Sequence, residues 1–250
     1  MKLGIVGFGV VGQSMNKLFS PKFEIVVYDK FQECGTKDGI NGCDLAFISV
    51  STPTSADGYS CDISAVEECV SWVTVPTCIR STVTPGTTYK LSLKQPRLAF
   101  CPEHLRETTW DKFENDFVIV GGDYSVCQSV IRVFQTVLGA NTKYMTTDST
   151  TAELSKYMLN CYLATKVAFC NQFQEIAQQY GVDYNELREL WLLDNRIGRS
   201  HTVVTEERGF GGKCLPKDLR AIISEMPDAT ILQAVNNYND WLRGIICKQP

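Results

Sequence analysis

The stretch GFGGKCLPKDL, Gly209 to Leu219, places one cysteine between a glycine run and a proline, with Lys213 and Lys217 on either side. Glycines let a backbone come close to a ligand. Neighbouring cations favour a thiolate, and Pro216 suits the first turn of a helix whose amino-terminal end also favours an anion. Together these describe an activated thiol at Cys214; the plainer alternative is a turn that leads into a helix. A second group with chemical potential is Lys156 and Asn160, four residues apart and therefore on one helical face. The segment from Tyr157 to Phe169 is apolar on most sides, as a central buried helix would be. A lysine at its start would lose hydration, which favours the neutral amine and suits acid–base work. A solvated lysine near a helix end is the competing reading.

A third group lies at the amino-terminal end. Gly7, Gly9 and Gly12, with Phe8, Val10 and Val11 between them, follow an apolar run at 3–7 and open a helical stretch, Val10 to Phe19. Such glycines permit a tight turn, close approach to a pyrophosphate and close packing of helix on strand, and the helix terminus receives the phosphates. Asp29, followed by Lys30, closes the next apolar run at the interval expected for a ribose-binding acid. A carboxylate there repels a 2′-phosphate, so NAD is the expected cofactor rather than NADP. Ser51, Thr52 and Pro53, and later Ser81 and Thr82, follow further apolar runs at the ends where such sheets bind ligands. As isolated features both are ordinary polar loops.

The elements that must carry these groups are legible as apolar runs at 3–7, 24–29, 44–50, 76–82, 97–102, 117–122 and 142–145. Runs without polar alternation, separated by helix-length segments, read as parallel strands covered on both faces. The expected class is α/β, a Rossmann-type doubly wound parallel sheet, followed by an all-α helical domain with a long central helix. The connection from Asp29 to Asp44 is short and glycine-rich, so one crossover is trimmed. From about residue 148 strand-like runs stop. Thr150 and Glu153 have capping-box spacing before a helix that runs to Gly181, about 45 Å if unbroken. Asp183 and Glu186 repeat the spacing, Pro216 opens another helix, and Asp228 is the expected cap of a last one. The division expected is an NAD-binding domain at 1–147 and a helical domain at 148–250 that carries the lysine and the cysteine.

Composition narrows the partners. The chain has 250 residues and a net charge of -4, and it contains no long Lys/Arg run, which argues against nucleic acid or an anionic membrane. MKLGIVGFGVVG is broken by glycines and lacks a cleavage site, and no stretch approaches a membrane span. Eleven cysteines with no CxxC, most of them in apolar runs, fit reduced core residues rather than structural zinc. A reducing cytoplasm is the expected location and no metal is expected.

Set beside one another, the glycine motif at Gly7, STPT at Ser51, STV at Ser81, PEHLRE at Pro102 to Glu107, AELSKYMLN at Ala152 to Asn160, DNRIG at Asp194 to Gly198 and GFGGKCLPKD at Gly209 to Asp218 resemble the UDP-glucose and GDP-mannose dehydrogenases, in order and over essentially the whole chain. The resemblance implies two successive oxidations by NAD that take the primary alcohol of a nucleotide-linked hexose to a carboxylate, with Cys214 as nucleophile. It implies that Lys156 and Asn160 serve the reacting oxygen, and that Asp218, Thr82 and Glu103 serve the acid–base and water network. By the same likeness Glu107 lies near the sugar or nicotinamide, and Glu103, Phe210 and Gly211 line the substrate. Arg196 would reach substrate bound to the neighbouring subunit of a homodimer. Each has a bland counterpart: Asp218 also suits a helix amino terminus, Glu103 and Glu107 could be an exposed acidic pair, and Arg196 a surface cation. Members of the family continue into a third α/β domain after the helix that ends here at IICKQP. His104 and Lys213 depart from the family pattern, and Lys213 could bind a substrate phosphate or be solvated. Two other classes compete: a one-step β-hydroxyacid-type dehydrogenase, which has no use for Cys214, and a non-catalytic NAD-binding module.

Overall fold

The computed structural model describes residues 1–104 and 116–246. The chain divides into two compact units, one of Met1–Pro53 with Cys61–Lys156 and one of Thr54–Ser60 with Tyr157–Pro250. The division falls inside the long helix, after Lys156, rather than at 147–148.

The first unit runs β1 (Lys2–Val6), α1 (Val10–Phe19), β2 (Glu24–Tyr28), α2 (Lys37–Asn41), β3 (Leu45–Ile48), α3 (Ser64–Trp72), β4 (Thr77–Ile79), α4 (Thr87–Ser92), β5 (Leu98–Phe100), β6 (Phe117–Gly122), α5 (Tyr124–Leu138) and β7 (Lys143–Thr147). The seven strands form one sheet in the order β2-β1-β3-β4-β5-β6-β7. The strands lack polar alternation because both faces are covered. Leu3, Ile5, Phe47 and Cys78 pack with Phe19 of α1 and Phe134 of α5 on one side. Val6, Ala46, Ile48 and Ile79 pack with Ile40 of α2 and Val66 and Val70 of α3 on the other. Successive side chains of a strand point to opposite faces, so a central strand such as β3, LAFI, is apolar and buried throughout, whereas the edge strand β7, KYMTT, is largely exposed. The short crossover expected after Asp29 is the five-residue α2, capped by Thr36, whose side chain accepts from the Gly39 N–H.

The sheet is the Rossmann-type one expected and mostly parallel, with one exception. β5 and β6 pair antiparallel, through Ala99 with Gly122 and Phe100 with Gly121, so β6 and β7, which are parallel to each other, run against the rest. Hydrophobic pattern encodes burial and not direction, and either orientation buries the same residues.

The last strand leads into α6 (Ser149–Gln179). Its cap is Asp148, whose carboxylate accepts from the Thr151 N–H at 2.9 Å and the Thr151 hydroxyl at 2.6 Å. The expected capping box of Thr150 and Glu153 is not formed, because Glu153 is fully buried and turns to the α4 loop instead. There it accepts from the Gly86 N–H at 2.5 Å and the Thr88 N–H at 2.8 Å.

The second unit contains the remainder of α6, then α7 (Tyr184–Trp191), α8 (Leu215–Glu225) and α9 (Thr230–Leu242). Asp183 caps α7 as expected. Asp228 does not cap α9; the residue at its start is Ala229, with no side-chain cap. Cys161, Ala164, Val167 and Ala168 of α6 form a core with Phe210, Leu219 and Val235. α6 is not buried all round: Met158 and Tyr162 are 80% and 62% exposed, and Phe169, Phe173 and Ile176 continue the apolar exposure along it. Among the described residues no helix is long and apolar enough to cross a membrane, and no three His, Cys, Asp or Glu side chains group as a metal site.

Candidate active site

The carboxyl ends of β1, β3 and β4 are adjacent, with Val6 beside Ile48 and Ile48 beside Ile79. The chain leaves β1 toward β2 on one side and returns to β3 on the other, which makes their junction the switch point at which such sheets bind a dinucleotide. Gly7 to Gly12 lie at that junction. Gly7 has φ +90°, and a Cβ there would stand 2.8 Å from the Ser49 carbonyl oxygen; a Cβ on Gly12 would run into the Gly7 carbonyl. Gly9, by contrast, faces open space and heads α1 without a side-chain cap, so the first N–H groups of that helix are left for an anion. Phe8 is half-buried, and Val10 and Val11 begin the helix.

Asp29 sits at the end of β2. One carboxylate oxygen accepts from the Phe8 N–H at 2.7 Å; the other accepts from the Phe31 and Gln32 N–H groups at 2.8 and 3.0 Å. Partial burial opposes ionisation, yet these backbone donors hold the carboxyl below its ordinary value. Each oxygen has a second lone-pair direction, so the group remains competent to accept from ribose hydroxyls. The open space at Gly9, the uncapped head of α1 and the acceptor at Asp29 therefore fit NAD. Lys30 turns away to Glu68 at 3.3 Å.

Ser51, Thr52 and Pro53 follow β3, with Thr52 buried and its neighbours exposed. Ser81 follows β4, buried and donating to the Val50 carbonyl at 2.7 Å, and the Thr82 carbonyl accepts from the Cys61 thiol at 3.7 Å. All five residues stand on the edge that carries the glycine loop.

A buried polar cluster lies in the same unit. Arg80 and Glu103 form an ion pair with side chains 2% and 9% exposed. Arg80 Nη1 also reaches the Cys101 and Pro102 carbonyls at 3.2 and 3.3 Å and Cys101 Sγ at 2.8 Å. Burial disfavours the guanidinium charge, but Cys101 and Glu103 more than offset it and raise the pKa. Lys156, buried, donates from Nζ to the Glu103 carbonyl. His104 packs its ring on Phe117 at 5.2 Å, and burial with the charges of Lys156 and Arg80 pushes its pKa down to about 3, so it is neutral. Glu103 and Glu107 are thus not a matched exposed pair: Glu103 is interior, and Glu107 lies outside the described residues.

In the second unit Cys214 is the residue before α8, with Pro216 in the first turn. Among the described cysteines it is the exposed one; Cys34 is half-buried and the others are buried. Asp218, one turn on, is 1% exposed. It accepts from Asn160 Nδ2 at 2.6 Å and pairs with Lys217 Nζ at 2.8 Å. Burial and the Asp218 charge push the neighbouring Cys161 thiol up to about 12. The glycine run before the cysteine is pinned from two helices: Asn171 Oδ1 accepts from Gly209 N–H at 3.1 Å, and Asn239 Oδ1 from Phe210 N–H at 2.7 Å. Phe210 is buried and Gly211 exposed. Arg196 is 84% exposed and forks onto Asp194, with Nη2 to Oδ2 at 2.5 Å.

The first unit thus brings together the glycine loop, Asp29 and the 51–53 and 81–82 loops, and separately Glu103 with Lys156. The second brings together Asn160 and Asp218, with Cys214 at the head of the helix that carries Asp218. Arg80, Asn171 and Asn239 escaped the sequence reading. Arg80 in TCIRST and Asn171 in AFCNQF were detectable as polar residues inside apolar runs, since a buried polar group must have a partner.

Two models of the UDP-glucose/GDP-mannose dehydrogenase family match in order, its NAD binding domain over residues 30–138 and its central domain over residues 150–241. The UDP-glucose 6-dehydrogenase of Rickettsia bellii is 32% identical over 80% of this chain and 50% of its own length. A UDP-glucose dehydrogenase structure from Pyrobaculum islandicum superposes with a TM-score of 0.84 at 25% identity, covering 98% of this chain and 68% of that one. Mycobacterium tuberculosis 3-hydroxyisobutyrate dehydrogenase shares the fold, with a TM-score of 0.76 at 14% identity over 96% of this chain and 93% of that one. The chain spans about half the length of the curated relatives it matches. NAD is the cofactor that the first unit is built for, and with both domain models matched in sequence order, the chain belongs to the UDP-glucose/GDP-mannose dehydrogenase family.

Proposed function

We propose that the protein oxidises the primary alcohol of a nucleotide-linked hexose, of the UDP-glucose kind, to the carboxylate in two steps through a cysteine adduct. NAD, when bound, accepts one hydride in each step. Cys214 Sγ attacks the aldehyde carbon to give a thiohemiacetal. Loss of hydride from that carbon and of the hydroxyl proton leaves a thioester, and water cleaves it to the acid and the free thiol. One alcohol, one water and two NAD+ give one carboxylate, two NADH and three protons.

Lys156 takes the part of hydrogen-bond donor to the reacting oxygen, a role suited to a buried Nζ that also donates to the Glu103 carbonyl. Asn160 shares that part, and Asp218 orients or activates water, with Thr82 and Glu103 in the same network. Glu107, Phe210 and Gly211 line the sugar side. Arg196 serves substrate on a second copy, and the exposed apolar stripe of Met158, Tyr162 and Phe169 on α6 supports a homodimer; the cytoplasm, where cysteines stay reduced, is its place.

The observation that carries this reading is the exposure of Cys214 at the head of α8 when most described cysteines are buried. A one-step dehydrogenase needs no such thiol. The test is the ratio of NADH to sugar acid formed from UDP-glucose and related donors, in the wild type and in Cys214→Ser. The expected ratio is two, with acid production abolished in the variant. A ratio of one, or acid from the variant, overturns the adduct; NAD binding without turnover on any nucleotide sugar overturns the enzymatic reading.

A further inference from the structure

Phe31 is 92% exposed, more than any other large hydrophobic side chain among the described residues. It sits in a firmly built turn. Its N–H and that of Gln32 are both held by Asp29, and Asp29 and Cys34 exchange backbone hydrogen bonds at 3.0 and 3.2 Å. The Gln32 side chain donates to the Phe8 carbonyl at 2.9 Å, which ties the turn to the glycine loop. Gly35 has φ +70°, and a Cβ there would run into the Val27 carbonyl, so the turn closes tightly back on β2. An aromatic ring on a fixed backbone, left in water, offers apolar area that a ligand gains free energy by covering.

Its position gives the ring a use. A ribose whose hydroxyls bond to Asp29 carries its base beside the residues that follow Asp29. Lys30 is drawn off to Glu68, and Phe31, whose backbone N–H bonds that carboxylate, is the exposed aromatic residue two positions on. The purine is a flat π surface, and stacking is the interaction that a bare ring offers it.

We propose that Phe31 is the stacking platform for the adenine ring of NAD, so that the adenosine half is held by a carboxylate on its ribose and an aromatic face on its base. This rests on the NAD assignment of the first unit and not on any turnover. The experiment is calorimetric titration of the intact chain with ADP-ribose, for the wild type, Phe31→Ala and Phe31→Trp. Phe31→Ala should weaken binding about five- to tenfold, the lower range for loss of one base–aromatic stack. Phe31→Trp should bind at least as tightly as the wild type, with its added fluorescence quenched by the ligand. Binding by Phe31→Ala within twofold of the wild type overturns the proposal, as does an equal loss in Phe31→Trp. Failure of the wild type to bind ADP-ribose or NAD at all overturns the NAD assignment itself, and so is told apart from failure at Phe31.

Discussion

Replacing Arg80 by methionine keeps the length of the side chain and deletes its charge. The guanidinium and the Glu103 carboxylate are 2% and 9% exposed, so the carboxylate left behind has little water to turn to. Removing one member of a buried pair costs about 3–5 kcal/mol, against about 0–1 kcal/mol for an exposed pair. The Cys101 and Pro102 carbonyls lose their donor in the same substitution, which places Arg80→Met toward the upper end of that range. The double variant Arg80→Met/Glu103→Gln removes both charges, and should recover about half of the loss or more, because the penalty comes from the orphaned charge and not from the missing attraction. Urea unfolding of the wild type, both single variants and the double variant gives the coupling, and hydrogen exchange of β4 and β5 locates it. A single variant less than about 1 kcal/mol below the wild type refutes the reasoning, since that is the behaviour of a solvated pair. So does a double variant as unstable as the sum of the two singles.

The remaining predictions concern groups whose partners are equally explicit. Asp29→Ala should weaken NAD about tenfold or more, the scale of hydrogen bonds to a charged group; titration that shows no change would remove the ribose contact. Because its folded-state pKa is lowered from 3.8, the contribution of Asp29 to stability is present above that value and lost as pH falls through the folded pKa; NAD affinity owed to it should be flat from about pH 5 upward. Asp148→Ala should destabilise by about 1 kcal/mol as an N-cap loss, while Thr150→Ala should have little effect; the reverse order in thermal unfolding would restore the capping box. Iodoacetamide at about pH 8 should alkylate Cys214 at least tenfold faster than Cys161, which burial and Asp218 hold as a thiol; equal rates by peptide mass spectrometry would contradict the burial difference.

The sequence made the central strands visible because they are apolar runs covered on both faces, as β3 is at every position; β7, KYMTT, is largely exposed and is the weakest of the seven runs. The apolar pattern left the direction of β6 open, since Val118 and Val120 are buried whichever way the strand runs. Caps were misplaced by a residue or two wherever several candidates stood side by side: Asp148, Thr150 and Thr151 are all plausible, and only the geometry of the Asp148 carboxylate decides. Glu153 shows the same limit, because a side chain that spacing assigns to its own helix can instead satisfy the N–H groups of Gly86 and Thr88. The cofactor loop was legible from type and interval because its chemistry is mainly backbone and Gly7 and Gly12 are required by space. Arg80 stood out as a polar residue in an apolar run, but its role did not. Its importance lies in partners at 101–103 that sequence distance does not connect to it.

The charge around Cys214 is distributed differently from what the flanking lysines suggest. Lys217 is paired at 2.8 Å with Asp218, whose side chain is 1% exposed. A buried carboxylate in the first turn of α8 requires a cation or strong donors, and Lys217 and Asn160 supply them. That lysine therefore serves the aspartate before it serves the sulfur. What remains for Cys214 is the amino-terminal end of α8 and the exposed Lys213, a weaker and more salt-sensitive field than two free ammonium groups would give. The arrangement separates two tasks within one short motif: Asn160 and Lys217 hold the Asp218 side chain in place, and exposure leaves Cys214 open to an electrophile. Loss of Lys217 should consequently disturb the interior of the second unit, whereas loss of Lys213 should leave that interior intact.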